Sequence, residues 1–224
     1  MNNNNTLQMS AYDTNATKVT PITENPAGCP FEMINEEVVW DGKWIQTRQV
    51  NFKTADGQNN IWQYVHRNTK PSSSLVDGVS IIARLRRDNR LFIVLLKQFR
   101  IPTGKICLEL PAGLIDEGET ATQAAIRELK EETGYTANKV VMESKQSFLD
   151  PGLTDDSQCI VILDIDGDAE ENKNPVQELE ITESIEVILV EQSQLMSYIN
   201  NLDSSMAVDS GLLSYAMGLQ FAQI

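Results

Sequence analysis

The sequence predicts an α/β fold, because apolar strand-like segments flank one well-marked amphipathic helix and a run of short alternating segments precedes them. The 224 residues suffice for one sizeable core and are too few for two ordinary domains. We therefore expect one main domain at residues 76–224, preceded by a small β unit at residues 35–75.

Residues 1–34 are rich in Asn, Thr and Pro and contain few large apolar side chains. No helical or strand periodicity is visible in them. Such a composition cannot bury enough apolar surface to offset chain entropy, so we expect a mostly disordered polar tail.

The next segment predicts antiparallel strands at residues 38–40, 44–50 and 61–65, with a turn at Asp56-Gly57. Further strands are expected at 79–85 and 91–99, and the turn residues Arg87-Asp88-Asn89 between them indicate a hairpin. Later strands are predicted at 158–165 and 184–190, and two closing helices at 191–200 and 210–223.

The best-marked helix covers residues 120–133. Ala121, Ala125 and Leu129 repeat every four residues and form one apolar face. Thr120 and Gln123 fit a capping box, and Gly134 is the residue type that ends helices.

The charge balance limits the classes of ligand that the protein can bind. Eighteen Lys and Arg against 32 Asp and Glu give a formal charge of −14, which repels nucleic acids and anionic membranes. A small phosphate ligand is still compatible, provided that a few cations or a bound metal neutralise it locally.

The cysteine positions and the lengths of the apolar runs argue against three other classes of protein: zinc-binding, disulfide-bonded and membrane-spanning proteins. Cys29, Cys107 and Cys159 lie far apart and His66 is the single histidine, which argues against zinc and against a disulfide framework. The apolar runs are strand-sized and no leader is visible, so we expect a cytoplasmic or nuclear protein without a membrane span.

The chemically informative stretch is GLIDEGETATQAAIRELKEETGY, residues 113–135. Glu128 and Glu132 are four residues apart on one helical face, with Glu131 beside them. Spacing alone leaves two interpretations open: a solvated acidic face partly offset by Arg127, or a site where a cation such as Mg²⁺ binds the carboxylates.

The order of Gly113, Glu119, Arg127-Glu128, Glu131-Glu132 and Gly134 resembles the Nudix box without a gap. The resemblance implies a mixed-sheet α/β/α sandwich in which Glu128, Glu131 and Glu132 bind Mg²⁺, or Mn²⁺ in its place. Arg127 would orient the glutamates, and water would attack a diphosphate phosphorus.

From about residue 35 the chain also resembles the ADP-sugar pyrophosphatase branch, in WDGKW, KQFR, LELPAGLID and LDPGLTD. Pro151 follows Tyr135 by sixteen residues, a placement similar to the proline of ADP-ribose hydrolases. The alternative is that Asp150-Pro151-Gly152 is merely a turn, which those residues form for backbone reasons.

In that branch, two tryptophans from different subunits stack the adenine ring, and Trp44 and Trp62 match them. The resemblance therefore implies a homodimer in which the small N-terminal β unit is exchanged between subunits. The alternative is that these are ordinary strand aromatics, the interpretation we favour for Trp40.

The remaining site residues also follow from the resemblance. Arg67 and Arg100 match phosphate or ribose contacts, and Leu114 and Asp150 match the substrate pocket. Ala112 would lend a backbone carbonyl to the metal. Glu183 matches a further carboxylate for metal or water, although the alignment there could shift to Glu180 or Glu186.

The expected function is Mg²⁺-dependent hydrolysis of ADP-ribose or a related ADP-sugar to AMP and a sugar phosphate. Two alternatives stay open: a preference for another nucleotide such as an oxidised guanine diphosphate, or a non-catalytic nucleotide sensor. The presence of every box glutamate disfavours the sensor, since sensing needs no full metal set.

Overall fold

The structure is a computed structural model that describes residues 18–222. The chain divides into two compact units, with the boundary between Asn68 and Thr69. This boundary lies before the predicted one at 75/76. Ser72 explains the difference, because its backbone N–H and its hydroxyl each donate to the Glu117 carboxylate, 3.0 Å away, within the second unit.

The first unit is a four-stranded antiparallel sheet in the order β1-β2-β3-β4. Its strands are β1 (Val19–Pro21), β2 (Glu32–Asp41), β3 (Ile45–Lys53) and β4 (Asn59–Arg67). The predicted turn between β3 and β4 is confirmed, with Gly57 at φ +84°. The three predicted strands are present and longer than expected.

Part of the predicted tail is ordered. Strand β1 and the first residues of β2 fall within residues 18–34, which the sequence had assigned to a disordered tail. Order arises from backbone pairing, since Val19 to Pro21 pair with β2, and from the Phe31 ring lying 4.9 Å from the Phe52 ring. Residues 1–17 of that prediction lie outside the described residues.

The second unit contains a nine-stranded mixed sheet in which most neighbours are antiparallel. The strands are β5 (Gly78–Arg87), β6 (Arg90–Arg100), β7 (Lys105–Glu109), β8 (Ala112–Leu114), β9 (Lys139–Glu143), β10 (Ser147–Phe148), β11 (Ser157–Asp166), β12 (Ile185–Glu191) and β13 (Ala207–Val208). The predicted hairpin is confirmed: β5 and β6 are antiparallel, and Asp88 and Asn89 have the positive φ angles of a two-residue turn. Parallel pairing of β11 with β5 and of β13 with β7 makes the sheet mixed.

Helices cover both faces of this sheet. They are α1 (Ala121–Thr133), α2 (Leu195–Asn200) and α3 (Ser210–Phe221). On β5, Ile81 and Ala83 pack in the same buried cluster as Leu129 of α1, whereas Ile82 packs with Leu195 and Leu212 of the other two helices. Successive side chains of a strand point to opposite faces of the sheet, so each face packs against helices. The result is the expected α/β/α sandwich.

The helix at 120–133 is confirmed, and the two closing helices are shorter than predicted. A 3₁₀ turn at Gln192–Gln194 precedes α2, which therefore begins at Leu195 instead of residue 191. Helix α3 ends at Phe221, and the predicted last residue, 223, is not among the described ones. Within residues 18–222, no helix is both long and apolar enough to cross a membrane.

Candidate functional site

Helix α1 is fixed at both ends by its own sequence. The Thr120 hydroxyl accepts a hydrogen bond from the Gln123 N–H at 3.2 Å, and the Gln123 side chain accepts one from the Thr120 N–H at 2.9 Å. At the other end Gly134 adopts φ +74° and its N–H donates to the Lys130 carbonyl. Both predicted caps are present, so the glutamates of the last turns occupy defined positions.

Glu132 is the most enclosed of these glutamates. Its side chain lies in the protein interior, with 3% of the residue exposed, and Oε2 accepts a hydrogen bond from the Ala112 N–H at 3.0 Å. Burial raises the pKa of Glu132 to about 8, and the charges of Glu128 and Glu183 act in the same direction. The carboxyl group therefore favours a cationic partner whenever it is ionised.

Glu128 packs directly against the backbone of β8. A Cβ atom on Gly113 would lie 1.9 Å from the Glu128 Cδ atom, so only glycine allows this approach. Desolvation raises the pKa of Glu128 to about 7, against the opposing effect of Arg127. The glycine of the motif thus has a steric function that spacing alone did not reveal.

Arg127 connects the carboxylates to one another. Its Nη1 donates to Glu128 Oε1 at 2.8 Å and to Glu131 Oε2 at 3.0 Å. Its Nε and Nη2 donate to Glu119 at 3.0 and 2.9 Å, and Nη2 also donates to the Leu114 carbonyl. These contacts raise the pKa of Arg127 and lower that of Glu119. The guanidinium therefore contacts three glutamates of the motif, and its role in orienting them stays a prediction.

Glu183 acts through its charge on two of these glutamates. Its charge contributes to the raised pKa of both Glu128 and Glu132. The alternative Glu186 is 65% exposed at its side chain and pairs with Lys97 at 3.3 Å. The other alternative, Glu180, donates its backbone N–H to Glu183 Oε2 at 2.9 Å. Of the three residues, Glu183 is the one whose charge acts on both Glu128 and Glu132, and its assignment to the site stays a prediction.

The loop that carries Glu183 is attached to the end of α1. The Gln177 side-chain amide donates to the Glu132 carbonyl at 2.6 Å and to the Ile185 carbonyl at 3.2 Å. The Glu178 N–H donates to the Glu131 carbonyl at 2.8 Å. These bonds satisfy carbonyls that the helix end leaves unpaired, and they bring Glu183 near the glutamates.

The donor set suits a hard divalent cation, which prefers oxygen ligands. Arg127 uses one oxygen of Glu128 and one of Glu131 and leaves the second oxygen of each for a ligand. Within residues 18–222, no three acidic, His or Cys side chains are grouped as a metal site, so the metal role of the glutamates stays a prediction. The raised pKa values of Glu128 and Glu132 reflect carboxyl groups that a cation would stabilise in their ionised form.

Arg100, predicted to bind substrate, is held by a residue that sequence reasoning missed. Glu109 accepts from Arg100 Nη2 at 2.7 Å and from Nε at 2.9 and 3.1 Å. The signal was an acid at the end of β7, between the buried Leu108 and Leu110. An isolated acid in such a strand requires a partner, which the sequence did not identify.

The predicted pocket residues are both in the second unit, where Leu114 ends β8 and Asp150 lies on the loop after β10. Leu114 is 38% exposed, and its carbonyl is fixed by Arg127. The Asp150 carboxylate accepts from the Gly152 N–H at 3.2 Å, and the Asp150 carbonyl accepts from Leu153 and Thr154. The Pro-Gly segment is therefore a turn stabilised by Asp150, and a pocket role remains a prediction.

The predicted base-stacking residues are in the first unit. Trp44 and Trp62 are 59% and 53% exposed, and the Lys43 ammonium lies 4.3 Å from the centre of the Trp44 ring. Arg67 ends β4. Trp40 differs, because its ring covers Gly42 so closely that a Cβ atom there would clash at 2.1 Å. Trp40 is itself 48% exposed, so its purely structural role stays a prediction.

Residues 75–203 match the model of the family described as NUDIX domain. The chain is 71% identical over 200 residues to "Putative nudix hydrolase 2" of Caenorhabditis elegans, covering 89% of this chain and 90% of the relative. It is 39% identical to an "ADP-ribose pyrophosphatase" of Saccharomyces cerevisiae, covering 82% and 80% of the two chains. A solved structure of an "ADP compounds hydrolase" superposes with a TM-score of 0.65 at 19% identity, covering 89% and 96%, which shows the same fold.

Proposed function

This chain belongs to the Nudix family, and from that premise we propose that it is a Mg²⁺-dependent hydrolase that cleaves ADP-ribose or a related ADP-sugar to AMP and a sugar phosphate. The observation that carries the proposal is the enclosure of two box glutamates beside β8: Glu132 accepts a hydrogen bond from the Ala112 N–H, and Glu128 lies against Gly113. The charge of Glu183 contributes to the raised pKa of both. Repulsion between buried carboxylates is costly, and a divalent cation removes that cost.

Glu128, Glu131, Glu132 and Glu183, together with the Ala112 carbonyl, are the groups that would hold the cation. When bound, it supplies Lewis-acid polarisation of the phosphoryl oxygens, with Mn²⁺ able to replace Mg²⁺. Arg127 keeps two of the glutamates in register and Glu119 holds Arg127 in turn.

The chemistry that these residues support is hydrolysis without a covalent enzyme intermediate. Water forms a bond to one phosphorus of the diphosphate, and the bridging P–O bond breaks. One of the box carboxylates accepts the proton of the water. The raised pKa values of Glu128 and Glu132 are those of groups that can accept a proton near neutral pH.

The proposed substrate rests on three supports. The Saccharomyces relative is named for ADP-ribose and aligns over four fifths of this chain. Trp44 and Trp62 expose flat aromatic surface suited to a base. Arg67 and Arg100 supply cations for the phosphates or the ribose, which a chain of charge −14 requires locally.

A homodimer is the assembly that we propose for this function. Among the described residues of the first unit, only Val50 and Phe52 are buried apolar side chains. Val39, Trp44, Ile45, Ile61 and Trp62 are exposed instead, more apolar surface than a small sheet stably presents to water. Pairing with a second copy would cover part of this surface and bring the two tryptophans of different subunits together, as in the branch that the sequence resembles.

The test is product release from a panel of ADP-ribose, other nucleotide sugars, diadenosine compounds and oxidised guanine diphosphate, with Mg²⁺ and with chelator. We expect Mg²⁺-dependent formation of AMP with ADP-ribose preferred. Preference for the oxidised guanine nucleotide would retain the mechanism and change the substrate. Binding of ADP-ribose without turnover under any condition would replace the enzyme with a nucleotide sensor.

A pair of variants makes this test specific. Glu132→Gln removes a buried charge but keeps an acceptor for the Ala112 N–H, whereas Glu191→Gln changes an exposed acid paired with Arg90. We expect E132Q to lose turnover by about 100-fold or more and E191Q to match the wild type. Near-normal turnover in E132Q would contradict the assignment of the box glutamates.

A further inference from the structure

The Arg100–Glu109 pair has the geometry of a fixed arginine. Arg100 ends β6, and its side chain folds back along the sheet to reach Glu109 on β7. Glu109 is 12% exposed at its side chain and receives a fourth hydrogen bond, from the Gln98 amide at 3.1 Å. A carboxylate with so little exposure needs charged or polar donors. Arg100 and Gln98 together fix the position of the Glu109 carboxylate.

Glu109 occupies only one edge of the Arg100 guanidinium. Nε and Nη2 donate to Glu109, while Nη1 donates to no atom in the described part of the chain. A guanidinium is planar and has five N–H donors, so an acceptor on one edge leaves the opposite end for a second anion. The Arg100 side chain remains 46% exposed.

Arg100 also acts on the glutamate cluster. Its charge lowers the pKa of Glu132, against the dominant effect of burial. In return, Glu132 is among the groups that raise the pKa of Arg100. Glu109, which binds Arg100, lies three residues before Ala112, whose N–H donates to Glu132, so the ion pair is on the segment that contacts this glutamate.

We propose that Glu109 is the positioning residue that aims Arg100 at the substrate, so that the Nη1 end of the guanidinium takes a phosphate or ribose oxygen. This inference rests on the proposed function and adds to it a residue that does not touch the substrate. Without Glu109, Arg100 keeps its charge but loses its fixed direction. Substrate binding then includes the entropy cost of ordering a long side chain.

The variants for the test are Glu109→Gln and Glu109→Asp. The corresponding variants Glu191→Gln and Glu191→Asp are the controls. The Arg90–Glu191 pair has the same 2.7 Å Nη2–Oε2 distance as the Arg100–Glu109 pair, but Arg90 and Glu191 are 58% and 32% exposed at their side chains. E191Q and E191D therefore measure the effect of losing or shortening an arginine partner elsewhere in the same unit. Thermal unfolding of every variant establishes that it is folded.

The readouts are the KM and kcat for ADP-ribose with Mg²⁺ and the Kd for ADP-ribose in chelator. We expect E109Q to raise KM and Kd about tenfold, the usual size for one charge-assisted contact, with kcat within about threefold of wild type. E109D, which keeps the charge, should recover part of the loss. Both Glu191 variants should match the wild type.

A double variant separates positioning from general structure. If Glu109 acts through Arg100, then R100Q and R100Q/E109Q have the same KM and Kd, because no guanidinium remains to be aimed. Wild-type constants in E109Q, or a full additional loss in the double variant, would overturn the role of Glu109. A wild-type protein that neither binds nor cleaves ADP-ribose would instead overturn the proposed function, and this role with it.

Discussion

Glu128 lies so close to Gly113 that a Cβ atom on the glycine would be 1.9 Å from Cδ and 2.0 Å from Oε1 of the carboxyl group. Strand β8 carries Gly113 and helix α1 carries Glu128, and no space is left between the Gly113 backbone and the Glu128 carboxyl group. The atoms that would clash are at the end of a flexible side chain. A larger residue would therefore displace the carboxylate and leave the fold intact.

The first prediction concerns this contact. Gly113→Ala should move the Glu128 carboxyl group and lower kcat by about tenfold or more, since small misplacements at a reacting centre are costly. Its thermal midpoint should change little. Gly218→Ala is the control, because Gly218 has open space around it in α3 and alanine there favours the helix by about 1 kcal/mol. An active G113A would show that Glu128 need not occupy this position.

The second prediction concerns pH and stability. The pKa values of Glu128 and Glu132 in the folded protein, about 7 and about 8, lie above the ordinary value of 4.5. Raised acid pKa values give stability that is complete below pH 4.5 and is lost as pH rises through 7 and 8. In chelator, E132Q should therefore become more stable than the wild type between pH 5.5 and pH 8.5, by on the order of a few kcal/mol at the upper limit.

Chemical unfolding in chelator at the two pH values measures this difference, and comparison with E132Q cancels the other titrating groups. Mg²⁺ should stabilise the wild type more at pH 8.5 than at pH 5.5, because it binds the ionised carboxylates. The same additions should have a smaller effect on E132Q. A stability difference between the two proteins that does not change with pH would contradict the buried, unpaired state of Glu132.

Local signals explain why helix α1 and the placement of its glutamates could be predicted. The periodicity of α1, its Thr120 and Gln123 capping box and its Gly134 terminator are all within one segment, and the three glutamates follow from them. Strands β8, β10 and β13 were missed because each has two or three residues. Such short segments are ordered by their neighbours in the sheet and carry no pattern of their own.

Partners that depend on tertiary structure could not be predicted. Glu109 was missed because its ion pair with Arg100 forms between two strands, and the role of Gly113 was missed because it depends on the position of Glu128. The order at Val19 to Pro21 comes from pairing with β2, which composition does not reveal. Sequence alone also left Glu180, Glu183 and Glu186 as alternatives, since no motif fixes the alignment there.

The third prediction tests that alignment. E183Q should lower kcat by about tenfold or more, since Glu183 is the carboxylate whose charge acts on Glu128 and Glu132. E186Q should have little effect on turnover, because Glu186 is exposed and pairs with Lys97 on the neighbouring strand. Steady-state kinetics with Mg²⁺ distinguishes them. The reverse ranking would move the alignment by three residues along the loop and strand.

The fourth prediction concerns the tryptophans. Trp44→Ala and Trp62→Ala should each raise KM with a smaller change in kcat, because a stacking ring binds the base and not the reacting phosphorus. Trp40→Ala is the control: its ring packs on Gly42, so it should affect stability more than KM. An unchanged KM in W44A would remove that residue from the site.

The fifth prediction tests whether each site is built by two subunits. Suppose that the Trp44 and Trp62 that serve one site come from different subunits. One of them then serves the glutamates of its own subunit, and the other serves the glutamates of the partner subunit. Mixing E132Q subunits with W44A or with W62A subunits then gives heterodimers with one intact site in only one of the two mixtures. At low ADP-ribose concentration, that mixture should exceed the summed activity of its parents. Differently tagged subunits, co-purified before assay, establish that heterodimers have formed. Gain in neither mixture would mean that each chain completes its own site, and the exposed tryptophans would then need another explanation.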